Sequence, residues 1–238
     1  MSITKNEIKL IKSLGQKKVR QQERLFLVEG LKGIQEFLES EYELFQLFAT
    51  EAVFDAETRL ISSKDLQRIS GLKSPNTGVA IFRMPQVKPI KTTTLVLALD
   101  DVRDPGNLGT IIRLCDWFGV EQLVCGLETV DCFNPKVVQA TMGSLTRVQI
   151  NYTDLEEYID QSPLEVFGTF MDGSTIYSEV LPQEGIIIMG NEAHGISPKI
   201  ERLVHKKIGI PRFGNIKATE SLNVATATAI ILSAFKSH

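Results

Sequence analysis

Residues 95–118 read LVLALDDVRDPGNLGTIIRLCDWF. Five continuous apolar residues, Leu95–Leu99, predict a strand buried on both faces, because a strand with one wet face would alternate instead. A polar loop follows. Leu108, Ile111, Ile112, Cys115 and Phe118 then recur at helical spacing, predicting a helix over 107–118. The same alternation runs on through the chain, with strands expected over 122–125, 166–170, 186–189 and 207–210 and helices over 135–141, 198–203 and 220–235. Apolar strands alternating with helices predict an α/β fold whose mostly parallel sheet is covered on both faces. The closing helix, Glu220–Phe235, is apolar almost all round, which predicts deep burial.

Upstream of this stretch, residues 84–94, MPQVKPIKTTT, carry Pro85 and Pro89 and no periodicity, and read as a linker. The first 85 residues hold shorter strand signals at 26–28, 44–49 and 79–82, and helical signals at 31–38 and 64–69. The expected organisation is a small α/β domain over 1–85, a linker over 86–94 and the parallel-sheet domain over 95–238. Residues 5–24 carry seven basic side chains against Glu7 and Glu23. That run is either a solvated helical face or a phosphate-contacting patch. Under the second reading Lys17, Lys18, Arg20 and Arg24 are the candidate contacts.

Composition excludes several classes. Over 238 residues the chain is 43% hydrophobic and 23% charged, with a formal net charge of −3. That is a globular mix, not a disordered, collagenous or coiled-coil one. No apolar run approaches the roughly 18 residues of a membrane span, and the N-terminus lacks a signal-peptide core. Three cysteines show no C-x-x-C spacing, and three histidines form no cluster, so neither a disulfide framework nor a metal site is expected. The expectation is a reduced, cytoplasmic, metal-free protein. Any nucleic-acid affinity must come from local basic residues, including Arg103, Arg147 and Arg212, because the mean charge is slightly acidic.

Familiar nucleotide signatures fail. No G-x-G-x-x-G or G-x-S-x-G occurs, and Gly190–Ser197 departs from a phosphate-binding loop by placing Ile196 where the lysine belongs. Three polar segments remain, each at a strand end or opening a helix, where parallel α/β proteins bind ligands. The first is Asp100–Gly109, running on to Arg113. Its bland alternative is a surface pair between Arg113 and Asp116. The second is Gly190-Asn191-Glu192-Ala193-His194-Gly195, where glycines flank a carboxylate; the alternative is a turn with an exposed Glu192. The third joins Ile210-Pro211 to Ser221-Leu222-Asn223, where Ser221 either caps the last helix or lines a site.

Together, N-x-G-x-x-x-R (Asn107, Gly109, Arg113), G-N-E-x-x-G (Gly190 to Gly195) and I-P with S-L-N-V-A (Ile210, Pro211, Ser221 to Ala225) resemble the three motifs of the SpoU/TrmH family. These are RNA ribose 2′-O-methyltransferases that use S-adenosyl-L-methionine. Arg24–Gly30 and Gly78–Phe82 resemble the L30e-like RNA-binding domain often attached to that family.

The resemblance implies a C-terminal parallel-sheet catalytic domain with a deep trefoil knot, and a homodimer formed through it. It implies cofactor binding around Thr169, Gly190, Ile210 and Leu222. Catalytic positions map to Asn107, Arg113, Glu192, Ser221 and Asn223. In this reading Glu192 and Asn107 hold Arg113, while Ser221 and Asn223 position RNA and the cofactor loop. An arginine stays protonated below about pH 12, so Arg113 is expected to stabilise the reacting oxygen rather than take its proton. The expected substrate is RNA, ribosomal ahead of transfer RNA, with no metal and no membrane. The alternative is a non-catalytic RNA-binding or ribosome-assembly protein of the same fold.

Overall fold

The computed structural model describes residues 3–91, 94–214 and 221–237. They form two compact units. One gathers the described residues up to Val87 together with Asp131–Thr146. The other gathers Lys88–Val130 with those from Arg147 onward. The units therefore do not follow a single cut at the proline-bearing linker: residues 131–146 leave the second unit and join the first.

The first unit opens with α1 (Lys5–Ser13), started by a capping box in which Thr4 accepts the Glu7 amide and the Glu7 carboxylate accepts the Thr4 amide. Then follow α2 (Lys17–Glu23), β1 (Leu25–Glu29), α3 (Leu31–Leu38), β2 (Leu44–Ala49), β3 (Arg59–Leu60), α4 (Ser63–Ile69) and β4 (Gly78–Arg83). The sheet order is β1-β4-β2-β3, with β4 antiparallel to both β1 and β2. Leu25, Leu27, Val79 and Ile81 face a core shared with Ile11, Leu14, Leu66 and Ile69. On the alternate positions Phe26 packs against Phe37 and Phe82, and Phe133 from the returning segment stacks 4.7 Å from Phe26.

The second unit begins with β5 (Leu95–Leu99), α5 (Pro105–Trp117) and β6 (Gln122–Gly126). The next helix, α6 (Pro135–Thr141), belongs to the first unit. The second unit resumes with β7 (Gln149–Thr153), α7 (Leu155–Asp160), β8 (Val166–Thr175), β9 (Gly185–Met189), α8 (Pro198–Glu201), β10 (Lys206–Gly209) and α9 (Val224–Lys236). All six strands are parallel, in the order β10-β8-β9-β5-β6-β7. On one face Val96, Ala98, Ile186 and Ile188 pack with Leu155 and Ile159 of α7 and Ile200 of α8. On the other, Phe167 meets Phe235 of α9 edge-on at 5.3 Å, and α9 packs against α5. Helices therefore cover both faces, as the apolar strands require.

Several elements differ from expectation. β7 and α7 carry no clear sequence signal: β7 is an edge strand whose one buried residue is the polar Asn151, so its pattern lacks both alternation and an apolar run. α9 begins at Val224 because Asn223 caps it; Glu220, the expected start, lies outside the described residues. The connection from β10 to α9, where the expected knot falls, includes residues 215–220, also outside them.

The topology places the ends of two strands together. β5 leads outward through β6 and β7, whereas β9 lies on its other side, so the winding reverses between β5 and β9. Leu99 is in register with Met189, and the Asp100 amide donates to the Met189 carbonyl at 2.9 Å. The loops that follow β5 and β9 therefore leave the sheet side by side, at the switch point where open parallel sheets bind ligands.

Candidate active site

The loop after β5 runs from Asp100, which is buried, through Asp101 to Asp104, whose carboxylate caps α5 by accepting the Asn107 amide at 2.8 Å. Pro105 takes the first helical position, where its missing N–H costs nothing. The loop after β9 is closed by Gly190. A Cβ there would stand 2.2 Å from the Gly195 carbonyl carbon, so no other residue fits. The absent side chain is therefore required for the loop's own closure. Gly195 has φ +69° and nothing within 4 Å of an added Cβ.

Glu192 links the two loops. Its carboxylate accepts the Asn107 side-chain amide at 3.0 Å and the backbone amides of Arg103 and Asp104 at 3.2 Å each. Asn107 in turn accepts the Asn223 side-chain amide at 2.9 Å. The Asn223 oxygen accepts the Ala225 and Thr226 amides at 3.0 and 3.2 Å, capping α9. Donors and acceptors fix each amide in one orientation: Asn223 must present oxygen to the helix, which leaves its NH₂ for Asn107, whose own NH₂ then meets Glu192. Burial pushes the Glu192 carboxyl up. The bonds from Asn107 and from the backbone amides of Glu192, Asp104 and Arg103 outweigh it, and the group lies below the usual carboxylate range. Asp101 is displaced the other way: burial and the neighbouring Asp100 raise it, against the opposing pull of Arg103 and Lys199.

Of the five expected catalytic residues, Asn107, Glu192 and Asn223 thus form one hydrogen-bonded chain. Arg113 stands apart from it. It is exposed on α5, and neither Glu192 nor Asn107 bonds to its guanidinium, contrary to the expected arrangement. The bland alternative also fails, because Asp116 is taken by Arg147 through contacts of 2.9 to 3.1 Å. Ser221 is exposed and does not cap α9; Asn223 does. Thr169 donates to the Ile188 carbonyl at 2.8 Å, just short of Gly190. Ile210, after β10, is half-buried, and Leu222 is 49% exposed.

The basic run divides. Lys17 and Lys18 are exposed on α2. Arg24, also exposed, ends α2 in the left-handed conformation and donates to the Pro85 carbonyl at 2.7 Å. Arg20 is not a surface residue: it is 1% exposed, its guanidinium bonds Asp131 and the carbonyls of Leu14 and Gly15, and it holds the returning segment in the first unit. A phosphate cannot reach it, which removes it from the candidate RNA contacts.

Among the described residues no cluster of three or more histidine, cysteine or acidic side chains is arranged to hold a metal, and no helix is long and apolar enough to cross a membrane.

Comparison with known proteins locates this geometry in a family. The model of the SpoU rRNA methylase family matches residues 94–233, which span the sheet and all three polar segments. The chain belongs to the SpoU rRNA methylase family. A second model, the MRM3-like substrate binding domain, matches residues 5–80 of this SpoU protein. The 23S rRNA (guanosine(2553)-2′-O)-methyltransferase of Bacillus subtilis is 31% identical to it over 97% of the chain and 96% of the relative. Among solved structures, an AdoMet-bound rRNA methyltransferase from Sinorhizobium meliloti aligns at a TM-score of 0.88 and 30% identity, covering 100% of this chain and 97% of that one. A TrmH-family protein from Porphyromonas gingivalis aligns at 0.92 and 36% identity, covering 100% and 99%. Asn191 and Asp104, which tie the site's loops, had no role in the sequence reading; the only signal was their place beside residues that did.

Proposed function

We propose that this protein is an S-adenosyl-L-methionine-dependent methyltransferase that modifies a ribose 2′-hydroxyl of ribosomal RNA. The observation that carries the reading is the chain Asn223–Asn107–Glu192, which joins the three motif segments at the switch point of the sheet. The named activity of the Bacillus subtilis relative, similar over nearly its whole length, supports the ribose 2′-oxygen and the ribosomal substrate. The AdoMet-bound neighbour supports the cofactor.

The residues present fit that cofactor. Leu222 is half exposed and Ile210 half-buried, so each leaves apolar surface that a flat adenine could cover, and the carboxylates of Asp101, Asp104 and Glu192 suit a cationic sulfonium. Thr169, Gly190, Ile210 and Leu222 would hold it. When bound, S-adenosyl-L-methionine supplies the electrophilic methyl group.

The chain's own residues must then align the ribose oxygen and help it lose its proton as it gains the methyl carbon. Alignment of bound groups removes several kcal/mol from such a barrier. Arg113, exposed and unclaimed by Asp116, stabilises the developing negative charge on that oxygen. A guanidinium is a poor base, so the proton passes to a substrate phosphate oxygen. Glu192, Asn107 and Asn223 keep the loops in place, and Ser221 positions the RNA. Lys17, Lys18 and Arg24 contribute to RNA affinity from the first unit.

The alternative is a non-catalytic RNA-binding or ribosome-assembly protein of the same fold. Single-turnover transfer of labelled methyl groups to ribosomal RNA, followed by mapping of 2′-O-methyl positions, decides between them. Cofactor binding without transfer to any ribosomal RNA would overturn the proposal.

A further inference from the structure

The side chain of Asn191 closes its own loop and also reaches the neighbouring one. Its oxygen accepts the Ala193 and His194 amides at 2.9 and 3.1 Å, and its backbone exchanges two 2.9 Å bonds with Gly195. Its NH₂ donates to the Asp101 carbonyl at 2.7 Å. Asp101 holds φ at +60°, a conformation that side-chain-bearing residues rarely adopt, while its carbonyl accepts this bond. At the far end of the same loop the Ser197 amide donates to the buried Asp100 carboxyl at 2.6 Å. The β9 loop is therefore fastened to the β5 loop on both sides of Glu192, by side chains that play no part in the chain Asn223–Asn107–Glu192.

We infer that Asn191 is a positioning residue that acts through Glu192: its bond to Asp101 sets the carboxylate where Asn107 and the Arg103 and Asp104 amides can meet it. Glu192 stands on a short, largely exposed loop, and a carboxylate there samples many rotamers unless its backbone is fixed. Apart from its own backbone amide, the donors to Glu192 all come from the β5 side, from Arg103, Asp104 and Asn107. A shift of one loop against the other lengthens all three bonds together. The consequence for methyl transfer rests on the function proposed above, whereas the tie between the loops does not.

The test uses the full-length protein with Asn191→Ala and Asn191→Ser. A serine hydroxyl can still accept the Ala193 and His194 amides but is too short to reach Asp101, so it separates closure of the loop from the tie. Two measurements are made: titration of the Glu192 carboxyl by carbon-13 NMR, and single-turnover methyl transfer to ribosomal RNA at saturating cofactor. In both variants Glu192 is expected to titrate higher than in the wild type. Maximal turnover should fall about tenfold or more, the scale of a small misplacement in a catalytic site, with half-saturating RNA changed much less. An unmoved Glu192 titration in Asn191→Ser, or wild-type turnover in that variant, overturns the inference. If the wild type itself transfers no methyl group, the function proposed above falls, and the Glu192 titration still decides the tie.

Discussion

Asn223 serves two masters with one side chain: its oxygen caps α9 while its NH₂, 2.9 Å from the Asn107 oxygen, completes the chain to Glu192. Substitution can separate these roles. Asn223→Asp keeps an oxygen for the cap but cannot donate to Asn107, so thermal stability should stay near wild type while single-turnover methyl transfer drops. Asn223→Ala should lose the cap as well, about 1 kcal/mol. Equal turnover in Asn223→Asp and wild type would show that the link to Asn107 has no role in the reaction.

The depressed titration of Glu192 fixes the sign of a pH effect. A carboxyl lowered on folding binds fewer protons in the native state than in the unfolded one through the mildly acidic range. Its stabilising contribution is complete above the ordinary carboxylate value and is lost as pH falls through the lower folded value. Glu192→Gln should therefore show a shallower loss of stability than wild type between about pH 5 and pH 3. Denaturant unfolding at stepped pH measures it, and parallel curves for the two proteins would contradict the assignment.

Arg20 and its neighbours on α2 should respond oppositely. Arg20→Ala leaves Asp131 without its buried partner and should destabilise the first unit by about 3–5 kcal/mol, read by denaturant unfolding. Lys17→Ala combined with Lys18→Ala should leave stability within about 0.5 kcal/mol. The double variant should instead weaken RNA binding and flatten its salt dependence. Unchanged RNA affinity in that variant would remove the basic run from the RNA-binding surface.

Arg113→Ala should leave folding and cofactor affinity near wild type, because Asp116 is already paired with Arg147. Turnover should fall roughly 100-fold, as for the loss of one preorganised donor. Arg113→Lys should restore little, since an ammonium lacks the planar fork. Cofactor titration beside single-turnover assays checks both, and retention of most turnover by Arg113→Ala would dismiss its role.

Trp117 is 83% exposed at the end of α5, the helix against which α9 packs. The homodimer that the family resemblance implies predicts that light scattering gives twice the 26.5 kDa of one chain. Trp117→Glu should shift the mass towards the monomer. A fully active monomer at micromolar concentration would refute the dimer.

The parts of the fold written in local pattern were legible. Leu95–Leu99 and Ile186–Met189 are short apolar runs of the kind that form strands buried on both faces, and the helix after Asp104 carries its own cap and proline. The polar loops at strand ends marked Asn107, Glu192 and Asn223. What joins them was not legible, because register is a property of two strands: nothing local in 95–99 says that Leu99 faces Met189. Arg20 was misread for a related reason. In a basic run every charge looks solvated, and its partner Asp131 lies 111 residues further along the chain. Ser221 looked like the cap by residue type, yet the polar side chain directly ahead of the helix, Asn223, takes the position.

The return of Asp131–Thr146 to the first unit constrains how this protein can be made and rearranged. A fragment ending at Val87 would leave Phe26 without Phe133 and the Arg20 guanidinium without Asp131. On the ribosome, the first unit cannot finish folding until β5, α5 and β6 have also emerged, so synthesis order and assembly order are interleaved. A graft of the N-terminal stretch alone fits only where the recipient's own counterpart of Asp131–Thr146 can meet Phe26 and Arg20.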